Sequence, residues 1–373
     1  MKTGVSYFFI LIMVFLTSIT LCQTSDSTYS FFVAGHTYGA PGVNNDGLHP
    51  PFENKFQHIQ SRSEIGFGIL LGDIVRPNPI EQDWIDVDES IENLGLPVHF
   101  AVGNHDMENR EIFESRYGDT YYAFLVSDDL FIVLDPNLDG WNISGNQLEF
   151  LDSLLINFAD NVENIFVSFH QLLWWESDNK YSIVYPNSLA GRADVVNFWT
   201  EIEPRFTALQ NQVFFMAGDL GAAHWSGDVL YDNYDNITFI ATGMGEGDGD
   251  NFVVVNEQLG SGVSFDLICL EDDINCMGSL ESYDVDLLGM DTANSLAADI
   301  YPTVVGNNQL IFVDNHDIQK IKLSGFNSLG VKVFGLLCEP GISTFCPNML
   351  DSGVYIFLVE SNGVTCSHKL VIL

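Results

Sequence analysis

Short apolar runs that end in glycine-containing polar turns recur through the first two thirds of the chain. Runs of this length predict buried β-strands, and stretches with helical spacing of apolar residues lie between several of them. Strands that alternate with helices are typical of α/β layers around a central sheet. The pattern predicts strands over 30–34, 67–71, 97–102, 130–134, 164–169, 212–217, 237–242 and 252–255, and helices over 51–63, 81–93, 108–117 and 145–160.

The pattern changes after about residue 266. Residues 267–299 carry eight carboxylates and no basic residue, which predicts an acidic linker over 267–297. Beyond it, short strand-like runs and turns follow one another without a good helix, and lysines return to the sequence. Residues 298–373 are therefore predicted to form a small all-β sandwich.

The N-terminal segment reads as a targeting sequence. An apolar run over 5–15 follows a basic residue and leads to small and polar residues before Cys22. This order predicts a signal peptide over 1–22, cleaved near the Cys22–Gln23 bond, and the run is too short to favour a stable membrane span. We expect a secreted or cell-surface protein. The alternative is lipidation of Cys22. Leu21 argues against it, because a small residue is normally required directly before a lipidated cysteine.

The strongly negative net charge limits the classes of binding partner that this chain can have. The chain of 373 residues has 13 Lys and Arg against 51 Asp and Glu, a net charge of -38, and residues 206–319 contain no Lys or Arg. Nucleic acid is excluded as an expected partner, because binding a phosphate backbone requires clustered basic residues. An acidic surface of this kind favours cations and suits salty surroundings, where repulsion is screened.

Five cysteines lie beyond the predicted signal peptide, and export permits disulfides. Cys269 and Cys276 are near enough in sequence to close a small loop, and Cys338 is a candidate partner for Cys346 or Cys366. None has the CxxC spacing of a zinc site, so no cysteine metal site is predicted.

Polar side chains at the ends of predicted strands are the most informative feature. The carboxyl ends of strands in open α/β sheets form ligand sites, and glycines there let the backbone approach a ligand. Carboxylate, amide and imidazole donors that converge at such an edge suit a divalent metal such as Mn, Fe or Zn. The strand ends present His36 after FFVAG, Asp73 in LLGD, Asn104, His105 and Asp106 in VGNHD, His170 in VSFH, and Asp219 in MAGD.

This ordered set, G-D, then G-N-H-D, then a strand-terminal His, then A-G-D, closely resembles the calcineurin-like metallophosphoesterase family over about residues 29–265. GNHD is its most specific element. The resemblance implies a layered α/β sandwich domain over 29–266, one or two divalent metal ions, and hydrolysis of a phosphate-ester substrate.

The resemblance also implies metal ligands at individual positions. The second metal of the family would be held here by Asp73, Asn104, His170 and Asp219, where Asp219 replaces the family's usual histidine. Asp is a competent ligand, so this half of the site looks intact.

The other half has lost ligands. His36 and Asp73 remain for the first metal, whereas Ala34 stands where the family has Asp and Gly221 where it has its last His. Three explanations stay open: a single metal, substitute ligands, or loss of catalysis on a retained scaffold. The candidate substitutes, near in sequence, are Asp46, His49 and His224.

The mechanism that the resemblance implies uses a metal-activated water to attack phosphorus. His105 would donate a proton to the leaving group or stabilise charge, and Asp106 would orient His105. A role as N-cap of the following helix is an equal alternative for Asp106. The segment GMGEGDGDN, residues 243–251, does not follow the order of a calcium-binding EF-hand loop and is interpreted as a flexible loop at the rim of the site.

The C-terminal segment resembles the sorting domain of the type IX secretion system, which implies that secretion machinery as a partner. The alternative is a generic β-sandwich module for binding carbohydrate or a surface. The whole sequence thus predicts a secreted, metal-dependent phosphoesterase-like protein, or else a non-catalytic metal- or ligand-binding surface protein on the same scaffold. The matches to the sorting domain are Tyr301-Pro302, Leu329-Gly330, Val333, Gly353-Val354-Tyr355 and Lys369-Leu370-Val371.

Overall fold

The computed structural model describes residues 21–22, 28–40, 42, 45–223, 225–245, 249–258, 262–271, 279–286, 298–301, 304–305, 310–315, 320–327, 331–346, 350, 352–361 and 364–372. Its first twelve strands are β1 (Leu21–Cys22), β2 (Thr28–Ala34), β3 (Ile65–Leu71), β4 (Val98–Ala101), β5 (Tyr122–Val126), β6 (Asp129–Val133), β7 (Asn164–Ser168), β8 (Gln212–Leu220), β9 (Val229–Tyr234), β10 (Ile237–Gly243), β11 (Asn251–Gln258) and β12 (Gly262–Cys269). Its helices are α1 (Pro50–Glu53), α2 (Phe56–Ser61), α3 (Glu81–Leu94), α4 (Arg110–Tyr117), α5 (Gly145–Phe158) and α6 (Glu203–Thr207).

Two sheets are formed by these strands. One has seven strands in the order β1-β5-β6-β7-β8-β10-β9, and the other has five in the order β12-β11-β2-β3-β4. Strands β6, β7, β8 and β10 run parallel in the first sheet, and β2, β3 and β4 run parallel in the second. All the strand ends that carry predicted site residues therefore belong to these parallel sets.

The sheets pack face to face, because their strands are apolar on both sides. Along β2, Phe31 and Val33 join an apolar cluster shared by both sheets, whereas Phe32 and Ala34 join a second cluster with α1, α2 and α3. Helix α5 covers the outer face of the seven-stranded sheet in a third cluster. Aromatic rings fill the space between the sheets, as where Phe31 stacks on Phe67 with centroids 5.1 Å apart.

Glycines let the two sheets meet at their carboxyl ends. A Cβ added to Gly35 would lie 2.4 Å from the Cα of Gly218 in the other sheet, and one added to Gly218 would lie 2.1 Å from the carbonyl oxygen of Leu71. No side chain fits in that space, so the backbones touch there. This contact brings the ends of β2 and β3 beside the end of β8.

The C-terminal segment is all β. Its strands form a three-stranded sheet, β13-β15-β18, and a five-stranded sheet, β14-β20-β19-β16-β17. Both sheets contribute to one apolar cluster that includes Ile311, Leu323, Phe357 and Leu370. The strands are β13 (Ala298–Tyr301), β14 (Val304–Val305), β15 (Ile311–Asn315), β16 (Ile321–Asn327), β17 (Lys332–Cys338), β18 (Gly341–Phe345), β19 (Gly353–Ser361) and β20 (Val364–Ile372).

The α/β architecture and all eight strands predicted in the first two thirds are confirmed. The predicted helix over 51–63 is two short helices, α1 and α2. Strands β5, β9 and β12 were not predicted. Strand β12 alternates half-buried and exposed residues at a sheet edge, so it lacks the continuous apolar run of the central strands.

The expected linker does not begin at residue 267. Strand β12 continues to Cys269 and pairs with β11 along its whole length. A 3₁₀ turn over Leu280–Tyr283 then places Leu280 and Tyr283 in the cluster between the sheets. Residues 272–278 and 287–297 lie outside the described residues, as does the predicted signal peptide except for Leu21 and Cys22, which pair with β5.

The cysteine predictions have mixed outcomes. Cys269 is disulfide-bonded, as the predicted small loop requires, while Cys276 lies outside the described residues. Cys338 is a free, buried thiol, so its predicted pairing with Cys346 or Cys366 is not formed. Among the residues that the structure describes, no helix is both long and apolar enough to cross a bilayer.

Candidate metal centre

The Asp73 carboxylate lies at the centre of the predicted site. Its Oδ2 atom lies 3.6 Å from Nε2 of His36, 3.4 Å from Nδ1 of His105 and 3.3 Å from Nε2 of His170. The carboxylate and two of these imidazoles, those of His36 and His105, present ligand atoms within 4.8 Å of one another. Three strand ends that are far apart in sequence thus converge on one oxygen.

Two of the central residues adopt a backbone conformation that L-residues seldom take. His36 has φ 54° and Asp73 has φ 48°, both in the left-handed region. The His36 amide donates to the carbonyl of Gly72 at 3.0 Å, which ties the turn after β2 to the turn after β3. Left-handed non-glycine residues cost energy and are concentrated at functional sites, where the surrounding structure holds them in place.

His170 and Asp219 complete a buried polar group with unsatisfied atoms. The His170 ring is bound through Nδ1 to the carbonyl of Leu71 at 2.7 Å, which directs Nε2 towards Asp73 and places it 3.7 Å from Oδ1 of Asp219. Nε2 of His170 and both carboxylate oxygens of Asp219 are buried and lack a well-formed hydrogen bond, although Asp73 lies 3.3 Å from His170 and the Ser188 amide and Asn187 side chain lie near Asp219. Buried polar atoms without a partner are expensive, so this set is suited to a bound cation.

Burial and neighbouring charges shift the pKa values of Asp219 and His170. Burial raises the pKa of Asp219 to about 8, and the nearby Asp73 charge adds to the rise. Burial opposes the charge on His170, but Asp73 and Asp219 outweigh it and raise the pKa of His170 to about 10. In the metal-free protein a protonated His170 and a protonated Asp219 balance the charge of Asp73, and a divalent metal held by nitrogen and oxygen ligands would take the place of these protons.

Asn104 lies half-buried in the turn after β4, and its side chain makes none of the described hydrogen bonds. The structure therefore brings His36, Asp73, His105, His170 and Asp219 into contact and leaves the predicted role of Asn104 as a prediction.

His105 and Asp106 have separate roles. The His105 amide donates to Oδ1 of Asp73 at 3.0 Å, and its side chain, 19% exposed, remains open to solvent. Asp106 is fully buried and accepts from the amides of Ile74 at 2.9 Å, Val75 at 3.1 Å and Gly103 at 2.8 Å. Its described hydrogen bonds join the turn after β3 to the turn after β4, and the expected bond to the His105 ring is not among them. Burial and the Asp73 charge raise the pKa of Asp106 to about 7.

The two positions where the resemblance implies further ligands, Ala34 and Gly221, are closely surrounded by the protein. Ala34 is fully buried in the apolar cluster around α1 to α3. Gly221 has φ 77°, and a Cβ there would lie 2.5 Å from the carbonyl carbon of Gly243 and 2.6 Å from the amide nitrogen of Met244. What remains of this half is His36, bound through Nδ1 to the carbonyl of Met244 at 3.2 Å; burial lowers the pKa of His36 to about 3.

The proposed substitutes do not enter the described site. Asp46 is exposed, and His49 pairs with Asp250 at 3.2 Å instead of facing Asp73. Asp250 also accepts from the amide of Gly245 at 2.8 Å, so this member of the GMGEGDGDN segment is bound within the protein. His224 and residues 246–248 lie outside the described residues.

Two features of the site escaped sequence reasoning. The Tyr38 ring lies 4.5 Å from the His36 ring and 5.2 Å from the His105 ring, and nothing in the local pattern marks it. Asn137 donates to the carbonyl of Val102 at 3.0 Å and accepts from Gln171 at 2.7 Å, which links the turn after β4 to the residue after His170. A polar strand end, LFIVLDPN, was the available signal for Asn137.

Residues 20–205 match the family model described as calcineurin-like phosphoesterase. The chain therefore contains a calcineurin-like metallophosphoesterase domain, and the family resemblance is confirmed for that range. A comparison with curated protein sequences found no match.

Two solved structures are similar to this chain. A purple acid phosphatase, PPD1, from yellow lupin (Lupinus luteus) seeds shares 15% identity with a TM-score of 0.48, over 68% of this chain and 53% of that one. A putative 5'-nucleotidase from Staphylococcus aureus shares 13% identity with a TM-score of 0.37, over 67% of this chain and 56% of that one. The match thus spans a little over half the length of each of these proteins.

Proposed function

We propose that this protein is a secreted, metal-dependent hydrolase of phosphate esters. The observation that carries the proposal is the convergence of the buried His170 and Asp219 side chains on the Asp73 carboxylate, with polar atoms that lack well-formed hydrogen bonds. The match of residues 20–205 to a phosphoesterase family supports the assignment.

Asp73, Asn104, His170 and Asp219 would hold the metal. A divalent ion there supplies Lewis-acid activation of water and neutralises charge on the phosphoryl oxygens. His105 is the partly exposed member of the group, so it is the residue able to reach a substrate and donate a proton to the leaving group. Asp106 is a positioning residue, because its carboxylate fixes the backbone of the turns that carry Asp73 and His105.

A single metal ion is the occupancy that the geometry favours. Ala34 is packed among apolar side chains, and Gly221 is too close to Gly243 and Met244 for any side chain. We expect one tightly bound equivalent of Mn, Fe or Zn per chain, measured by elemental analysis of the purified protein and by calorimetric titration after chelation. Two tight equivalents would contradict this part of the proposal.

Alanine substitutions test the activity. His105→Ala should reduce metal-dependent hydrolysis of a simple aryl phosphate by about 10²- to 10⁴-fold, the usual range for loss of general acid–base catalysis. His36→Ala should reduce the rate of hydrolysis by a smaller factor, because the half-site to which His36 belongs has already lost two ligands. His58→Ala is the matched control, since His58 is exposed on α2. Steady-state rates with Mn, Zn and Mg provide the comparison.

The replaced residues at 34 and 221 favour one alternative, a protein that binds metal without catalysis. A wild-type protein that binds metal but shows no metal-dependent turnover, with no response to His105→Ala, would establish that alternative. A wild-type protein that binds no metal would contradict both the catalytic proposal and this non-catalytic alternative.

Export and sorting form the remaining part of the proposal. Residues 1–22 would direct export, and residues 298–373 would act as a type IX sorting domain; the all-β character of the described C-terminal strands supports this. Deletion of 298–373 should leave the remaining protein folded but retained in the cell. Appearance of the truncated protein in the medium would contradict the sorting role.

A further inference from the structure

An open, shallow cavity lies on the surface apart from the metal centre. Its volume is about 500 Å³, which is within the range of small-molecule sites. None of the predicted metal ligands lines it, and it is built from the turn before α6, the segment after β7 and the end of β9. The lining residues are Glu176, Asp178, Asn179, Lys180, Tyr181, Trp199 and Tyr234.

The aromatic residues of this cavity are fixed by their polar atoms. Trp199 donates its indole N–H to the carbonyl of Trp174 at 3.1 Å, and Tyr234 donates its hydroxyl to Oε1 of Glu203 at 3.0 Å. Tyr181 donates to Oδ2 of Asp232 at 2.6 Å. Because these polar groups are bound within the protein, the ring orientations are set before any ligand arrives. Trp199 and Tyr234 are half-buried and present ring carbon to the cavity, whereas Tyr181 is 2% exposed and stacks on Trp199 from behind.

Negative charge surrounds the rings. Asp178 is exposed at the cavity, and Glu176 lies on its wall, 2.6 Å from Arg192. Lys180 lies 2.8 Å from Asp232 and 3.3 Å from Asp286, so its charge is already compensated. Carboxylates therefore outnumber cations around the cavity, and an anionic ligand would be repelled.

The wall already holds one ammonium group against a ring. Nζ of Lys180 lies 5.4 Å from the centroid of Tyr181, within the distance of a cation–π interaction. A positive charge beside aromatic carbon is thus an arrangement that this part of the protein stabilises.

We propose that this cavity binds an organic cation of the quaternary ammonium class. Aromatic faces attract a methylated ammonium through their quadrupoles, and the surrounding carboxylates add longer-range attraction. A bare metal ion would use the carboxylates and leave the rings without a role, and a phosphate would face repulsion. The proposal does not depend on the metal centre or on phosphoesterase activity.

Choline and its neutral isostere, 3,3-dimethylbutan-1-ol, separate charge recognition from simple apolar burial. We expect the full-length protein to bind choline in calorimetric or NMR titrations and to bind the alcohol about 10-fold more weakly, the effect of a cation–π term of moderate size. Equal affinity for the two compounds, or no saturable binding of choline, would overturn the proposal.

Variants locate the binding. Trp199→Ala should abolish choline binding, and Trp199→Phe should recover part of it because a ring is restored. Asp178→Asn changes an exposed carboxylate without disturbing the core, and we expect it to weaken choline binding several-fold. Trp225→Ala is the matched control, because that indole is 56% exposed and does not line the cavity. Unchanged affinity in both Trp199→Ala and Asp178→Asn would place the ligand elsewhere and contradict the proposal.

Discussion

At the scale of single residues, the metal centre is a problem of balancing charge. Asp73 is buried, which opposes its ionisation, yet His170, His105 and His36 surround it and hold the pKa of Asp73 below its usual value. Asp219 has a described contact with only one of these histidines, His170 at 3.7 Å, and burial raises the pKa of Asp219 to about 8. The site therefore contains one carboxylate that is readily charged and one that is charged only at a cost.

This difference predicts how pH affects the metal-free protein. The pKa of Asp219 rises from 3.8 to about 8 on folding, so the folded state retains a proton that the unfolded chain releases. Through this group, stability falls as the pH rises from about 4 to about 8. Asp219→Asn removes the ionisation, and we expect the chelated variant to exceed wild type by roughly 2–4 kcal/mol at pH 9 and by much less at pH 5.

Urea unfolding in the presence of a chelator, at pH 5 and pH 9, measures this difference. Asp178→Asn, at an exposed carboxylate, should leave the pH profile unchanged. A variant at Asp219 whose stability falls between pH 5 and 9 as steeply as that of wild type would show that Asp219 is not the group responsible.

Ala34 supplies a second test at this scale. Introducing the family carboxylate by Ala34→Asp would place a charge in a fully buried, apolar setting. We expect a loss of stability of about 3 kcal/mol or more at neutral pH, reduced in acid where the carboxyl is protonated. Chemical denaturation with and without Mn gives the measurement, and Ala34→Ser is the control of similar size. Full recovery of stability on adding metal would instead show that the first metal site can be rebuilt.

At the scale of elements, glycine contacts decide which strand ends meet. The turn after β2 and the last residues of β8 approach through Gly35 and Gly218, and the turn after β8 then passes beside β10 at Gly221. Each contact is between backbones, so the position of Asp219 depends on the absence of side chains at neighbouring residues.

Two glycines with nearly the same φ angle isolate this effect. Gly221 has φ 77° and no space for a Cβ, whereas Gly95, which ends α3, has φ 72° and no atom within 4 Å of an added Cβ. Gly95→Ala should lower the free energy of unfolding by about 1–2 kcal/mol, which is the cost of holding an L-residue in the left-handed conformation. Gly221→Ala should cost clearly more and should also weaken metal binding, because Asp219 is two residues away. Unfolding free energies and metal titrations test both; equal costs would show that the contact at Gly221 relaxes freely.

At the scale of the whole molecule, the apolar clusters divide along the sequence. Three clusters are built from described residues between Tyr29 and Val285, and the fourth only from residues between Ile300 and Ile372. No cluster of the described residues mixes the two groups. We therefore expect deletion of 298–373 to leave the unfolding midpoint of the rest unchanged.

Tryptophan fluorescence is the natural probe for this deletion, because all six tryptophans lie between Trp84 and Trp225. Full-length protein and the truncated form should give the same transition in urea, within error. A midpoint shifted to lower urea in the truncated form would show that the C-terminal sheets stabilise the phosphoesterase domain.

The sequence by itself determined the α/β class, the positions of the central strands and the residues at their ends. Continuous apolar runs specify strands that are buried on both faces, and glycine followed by Asp, Asn or His marks where such strands stop. These are local signals, and the structure retains them at His36, Asp73 and His170. Edge strands such as β12, which alternate, gave weaker signals and were not predicted.

Tertiary structure alone decided what those strand ends do together. The convergence of three histidines on one oxygen depends on strand order, and a sequence of strands does not state which of them are neighbours in a sheet. The sequence did not determine the roles of Asp106 and His49 either, because each has several possible partners. Only the packed fold places backbone amides around Asp106, and only the packed fold places Asp250 beside His49. Whether a position implied by the resemblance is open or filled is a property of packing: Ala34 lies in an apolar cluster, and a Cβ at Gly221 would meet the backbone of Gly243 and Met244.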